Sequence, residues 1–176
     1  MSELYDQIAG QRGSVERLIA RLPGFGGYME RASRRTADRM LRDYVTAQIA
    51  ERINRFVGIE KSLLESGGLK YMSKTKSAKT KLQTYQDRVK AAAPGYSGFF
   101  AAVKIGEEEL ERLYSFDEAQ IRYVDRLDEA LHTLEEAVKT QSDIDVALAA
   151  VDSLAVEANE AFKLRDDVLT NLDKSL

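Results

Sequence analysis

Only two prolines, Pro23 and Pro94, interrupt the 176 residues of this chain, and that scarcity constrains its fold more than any other feature. Proline removes a backbone donor and ends helices, so long proline-free runs of good helix formers favour the helix. Residues 28–66 hold one glycine, Gly58, and apolar side chains recur at helical spacing through Ala37, Leu41, Val45, Ile49, Ile53, Phe56 and Leu63. One helix is expected there, roughly 57 Å long at 1.5 Å per residue. Gly67-Gly68 then offers a left-handed cap and a tight reversal. A second helix is expected over 69–93, on a thin stripe of Leu69, Met72, Leu82, Tyr85 and Val89.

A third helix, 106–140, opens on Glu107, Glu108 and Glu109, which complement its dipole. Its coiled-coil seam runs Leu110, Leu113, Asp117, Gln120, Val124, Leu127, Leu131, Leu134, Val138, apolar except at two positions. Thr140-Gln141-Ser142 turns the chain, with Ser142 as a candidate N-cap, into a fourth helix over 143–175. Residues 1–22 read as an accessory helical stretch weakened by Gly10 and Gly13. Short connections favour antiparallel neighbours, so the expected fold is all-α: an elongated antiparallel four- to five-helix bundle forming one domain over 1–176.

Composition narrows the chemistry. Without cysteine there is no disulfide scaffold, thiol nucleophile or cysteine-ligated metal, and one histidine rules out paired-imidazole sites. Glu129-Ala130-Leu131-His132 has the E-x-x-H form of di-iron bundles, but if Leu127, Leu131 and Leu134 are core, Glu129 and His132 fall on the solvated face. No metal site, cofactor or small-molecule substrate is implied, and the chain reads as non-enzymatic. No recognised nucleic-acid module is present, and the net charge is −3, so nucleic acid is not expected as the primary ligand. The N-terminus lacks a basic region followed by an apolar one, and the expected location is the cytoplasm.

That small net charge hides a division. Residues 1–104 carry 19 Lys and Arg against 10 Asp and Glu, a balance of +9, while 105–176 carry 7 against 19, a balance of −12. Within the basic part, Lys70, Lys74, Lys76, Lys79 and Lys81 form a dense patch. It either meets an anionic partner or faces the acidic helices of its own fold.

Both prolines open the same pattern, Pro-Gly-aromatic-x-Gly-aromatic: Pro23-Gly24-Phe25-Gly26-Gly27-Tyr28 and Pro94-Gly95-Tyr96-Ser97-Gly98-Phe99. Antiparallel topology brings both loops to one end. Their rings either plug the core there, as aromatics do when they can, or form a docking end. In the docking case Phe25, Tyr28, Tyr96, Phe99 and Phe100 insert into a partner groove or lipid headgroups, with Arg31, Arg34 and Arg35 pairing anions beside them. Asp117 and Gln120 are the polar seam positions, and Arg165, on the inner stripe of the last helix, is a candidate partner for Asp117.

The sequence therefore reads as a helical scaffold or adaptor that binds a protein partner or a second copy of itself through complementary basic (1–104) and acidic (105–176) faces. The alternative is a peripheral membrane module docking on anionic lipid through the aromatic loops and the Arg cluster. A metal-binding or enzymatic bundle is the third reading, and it lacks ligands.

Overall fold

The computed structural model describes residues 2–91 and 105–174, with side chains as far as Asn171. The described residues contain six α-helices packed against one another, one 3-10 turn and no strand. The helices are α1 (Glu3–Ala9), α2 (Ser14–Arg21), α3 (Arg31–Glu65), α4 (Met72–Ala91), α5 (Glu107–Thr140) and α6 (Ile144–Lys174), with the 3-10 turn at Leu69–Tyr71.

Differences from the expected boundaries have local causes. The accessory stretch is two helices, because Gly13 takes φ 70 and restarts the chain at α2. The long helix begins at Arg31, three residues late: Gly27 adopts φ 71 and Glu30 is still extended. At the start of α6 the N-cap is Asp143, whose carbonyl accepts the Ala147 N–H at 3.0 Å, while the Ser142 hydroxyl donates to the Asp143 carboxylate at 3.0 Å.

Both reversals use one device. At the end of α3, Gly68 N–H bonds Leu63 O and Gly67 N–H bonds Leu64 O, with Gly67 at φ 86. At the end of α5, Ser142 N–H bonds Ala137 O and Gln141 N–H bonds Val138 O, with Gln141 at φ 55. This is the paired hydrogen-bond pattern of a Schellman cap in each case.

Side-chain contacts give the directions. Glu60 meets Thr75 and Thr46 meets Gln86, so α3 and α4 are antiparallel. Asp117 meets Arg165 and Tyr123 meets Glu157, so α5 and α6 are antiparallel too. Between these two hairpins the neighbours run parallel. Lys74, Lys81 and Arg88 of α4 meet Asp145, Asp152 and Asn159 of α6 in ascending order. Arg55 of α3 meets Glu135 of α5, and at the other end Asp38 reaches Asp117 through Arg165. The four long helices alternate in direction as expected, but α4 and α5 lie across the interior from each other instead of side by side. Between that pair in the sequence lie residues 92–106, of which 92–104 fall outside the described residues.

The expected seam of α5 is buried throughout. From Leu113 to Ile121 every residue of α5 is buried, since α1, α2, α3 and α6 pack around that stretch. A helix enclosed on all sides has no solvated face for its polar residues.

Candidate functional site

Pro23 ends the chain's run out of α2, and Gly24 and Gly27, at φ 88 and 71, bend the loop so that both aromatic rings turn inward. Phe25 packs edge-on to Tyr28 with centroids 5.8 Å apart, and Tyr28 stacks on Tyr114 at 5.4 Å. Gly27 makes the approach: a Cβ there would stand 2.6 Å from the Tyr114 Oη. That hydroxyl accepts the Tyr28 N–H at 2.8 Å.

Below the loop is a closed polar cluster. Tyr28 Oη donates to Asp117 Oδ2 at 2.5 Å, and Arg165 Nε donates to Asp117 Oδ1 at 2.5 Å. Arg165 Nη2 reaches Asp38 Oδ1 at 2.8 Å, and Arg42 Nε holds the other oxygen of Asp38 at 2.8 Å. Arg34 Nε caps the loop by donating to Tyr28 O at 2.7 Å. Tyr28, Asp117 and Arg165 are fully buried. Burial pushes the Tyr28 phenol well above its ordinary value, and the neighbouring Asp117 carboxylate adds to the rise. Burial also raises the Asp117 carboxyl, against the opposing pull of Arg165. A phenol so placed holds its proton at neutral pH and serves as a donor. The cluster joins α3, α5, α6 and the loop.

Phe25, Tyr28 and Arg34 are thus interior residues. The docking use of these three side chains is corrected: their partners lie inside the fold, and the first loop plugs its end of the core. Arg31 and Arg35 remain exposed. Tyr96, Phe99 and Phe100 lie outside the described residues. Gln120 is buried and accepts the Tyr85 hydroxyl at 2.7 Å from across the interior. Glu129 and His132 are exposed, and among the described residues no group of three or more His, Cys, Asp or Glu is placed to hold a metal.

The lysine patch divides. Lys74 and Lys81 pair with Asp145 and Asp152 of α6, and Lys79 pairs with Glu60 of its own hairpin at 2.7 Å. Lys70 lies over the Tyr71 ring at 4.9 Å, and Lys76 is exposed. Like the Lys74 and Lys81 pairs, Arg17–Glu118, Arg21–Asp125, Arg52–Asp128, Arg55–Asp128 and Arg55–Glu135 join a cation of the basic segment to a carboxylate of the acidic one, and Arg165–Asp38 joins the two segments the other way round. Much of the division in the sequence is therefore closed within the chain.

Asp38 and Arg42 carry no role in the sequence reading, and Tyr85 enters it only as a member of the apolar stripe of the second helix. Asp38 had a signal: it stands one turn before Leu41 on the apolar phase of α3, a polar residue on a core stripe. A cavity of about 60 Å³ beside Ile8, Tyr123 and Glu157 has room for about two waters, far below the size of ordinary ligand pockets. Larger grooves, of about 330 and 300 Å³, follow the α3/α5 and α4/α6 seams. No protein-family model, curated protein or solved structure matches the chain.

Proposed function

We propose that this protein is a non-enzymatic helical scaffold or adaptor, folded as a four-helix bundle of α3 to α6 with α1 and α2 as an accessory cover. The observation that carries the reading is the use made of Arg165. A buried guanidinium bound to Asp117 of α5 and Asp38 of α3 ties both hairpins into one body. Rigidity of that kind suits a part whose work is to present surfaces in fixed relation. The cavity beside Tyr123 is too small for a substrate, and the two larger grooves follow the ion-paired seams.

Self-association through complementary faces rests on the charges left over. Arg12, Arg31, Arg39, Lys61, Lys70 and Lys76 on the basic segment make no ion pair among the described residues, and neither do its acids Glu3, Asp6, Glu16, Glu30, Asp43, Glu65 and Asp87, while on the acidic segment Glu107, Glu111, Glu129, Glu160 and Asp167 stand unpaired, so the surplus left over is acidic. The acidic surplus of α5 and α6 on one copy, set against the exposed cations of another, allows a head-to-tail contact between copies. Light scattering of the purified protein at low and high salt tests it. Oligomers at low salt that dissociate at high salt support the reading, and a monomer under both conditions overturns the self-association.

A further inference from the structure

Seven large apolar side chains stand exposed among the described residues, and four of them, Val57, Leu64, Leu69 and Val146, lie toward the end where both hairpins reverse. Leu69 projects furthest, 72% exposed on the 3-10 turn, and Val146 is 69% exposed in the first turn of α6. Single exposed leucines are ordinary, but these share their end with a set of unpaired cations. Lys61, Lys70 and Lys76 are exposed there and make no ion pair, with Lys70 resting only on the Tyr71 ring. The acids of this end are largely occupied: Asp145 by Lys74, Glu136 by Lys139 and Glu60 by Lys79, leaving Glu65 and Asp143. On the α3–α4 hairpin itself, three unpaired ammonium groups, at Lys61, Lys70 and Lys76, share this end with Leu64 and Leu69 against one free carboxylate, Glu65.

We infer that this end docks on an anionic lipid surface. Leu69 enters the headgroup boundary while Lys61, Lys70 and Lys76 lay their stems along it and meet lipid phosphates and carboxylates. Charge complementarity selects the occupant, and shape agrees. The apolar side chains project from a reversal instead of lining a groove, and the two larger grooves lie along the seams. This contact lies at the opposite end from Phe25 and Tyr28, and it does not depend on self-association.

Co-sedimentation with vesicles of phosphatidylcholine, alone and mixed with phosphatidylserine, tests it at about 0.1 M salt, where the screening length is about 10 Å. The protein should pellet with the mixed vesicles and be released by high salt. Each lysine near an anionic surface contributes about fivefold, so the triple variant Lys61→Gln, Lys70→Gln, Lys76→Gln should bind on the order of 100-fold more weakly. Leu69→Ser should weaken binding about tenfold. Lys90→Gln with Lys163→Gln, at the other end, should leave binding unchanged. All these side chains are exposed, so an unaltered circular dichroism spectrum and Tm certify the fold. Equal recovery on phosphatidylcholine alone, no recovery on mixed vesicles, full binding by the triple lysine variant, or loss confined to the Lys90/Lys163 variant each overturn the inference.

Discussion

Arg165 is shut from water between Asp117 and Asp38, and such an ion survives burial only because its partners are in place. Replacing it by methionine keeps most of the volume but leaves two buried carboxylates without that guanidinium. Arg165→Met should therefore destabilise the protein by about 3–5 kcal/mol in urea unfolding. Adding Asp117→Asn to that variant should recover part of the loss, since the two residues are coupled; strictly additive losses would show that charge pairing is not the cause. Gly27 gives a second residue-level prediction. Gly24→Ala and Gly27→Ala both place a Cβ at positive φ, a strain of about 1–2 kcal/mol. At Gly24 the nearest atom, Met40 Cε, is 3.8 Å away, whereas at Gly27 the new carbon meets the Tyr114 hydroxyl at 2.6 Å. Gly27→Ala should consequently lower Tm clearly more than Gly24→Ala, and equal shifts would argue that the Tyr114 contact gives way freely. At this scale the sequence was partly legible. Asp117 and Gln120 stood out because an apolar seam surrounds them, and Arg165 because it lies on an inner stripe. Tyr28 could not be assigned to plug or dock, since a ring beside glycines can swing either way until Tyr114 and Asp117 are seen beneath it.

Helix ends were readable where glycine marks them and less so where it does not. The cap after α3 has Gly67 in its left-handed position, while the same cap after α5 has Gln141 there, at φ 55. The Gln141 side-chain amide donates to Val138 O at 2.6 Å and offsets some of that strain. Gln141→Gly should still be stabilising, raising Tm by about 2 °C for a chain of this size. A fall in Tm would mean that the amide bond outweighs the backbone strain. The start of α6 was misplaced by one residue for a related reason. Asp143, itself at φ 57, takes the N-cap, and nothing in Ser142-Asp143 distinguishes two good capping residues before the backbone is known. The periodicity that located α3, α5 and α6 is a property of whole faces, so it tolerates such slips at the ends. Neighbour relations were the harder matter. Hydrophobic stripes state which side of a helix is inward and not which helix it meets, and the parallel packing of α4 on α6 follows from a diagonal that no stripe encodes.

In the whole molecule that diagonal explains the polar interior. With α4 facing α5 and α3 facing α6 across the core, Tyr85–Gln120 spans one diagonal and Arg165–Asp38 the other. Each is a directional contact between helices that face each other across the core, and each opposes sliding of one hairpin past the other. Around this centre the seams are closed by ions from opposite halves of the sequence, and their strength should follow pH. Arg55 grips Glu135 with two bonds of 2.7 Å and holds its carboxyl below the usual range. For Glu60, burial works to raise the value, but Lys79 and Thr75 outweigh it and the net shift is also downward. A carboxylate with a lowered folded value contributes its full stability above the unfolded value, near about 4.3 for glutamate. That contribution disappears as pH falls through the lower folded value, because the folded state must then take up a proton that the unfolded chain already holds. Glu135→Gln should accordingly be less stable than the wild type at neutral pH, by about 1 kcal/mol for a half-exposed pair, and the gap should close as the pH is lowered below about 4. Parallel Tm curves for the two proteins down to that range would show that the α3/α5 seam does not draw its stability from this charge. Closing of the gap, with a residual acid loss shared by both proteins, would locate the remainder in Glu60 and the other carboxylates whose values the fold depresses.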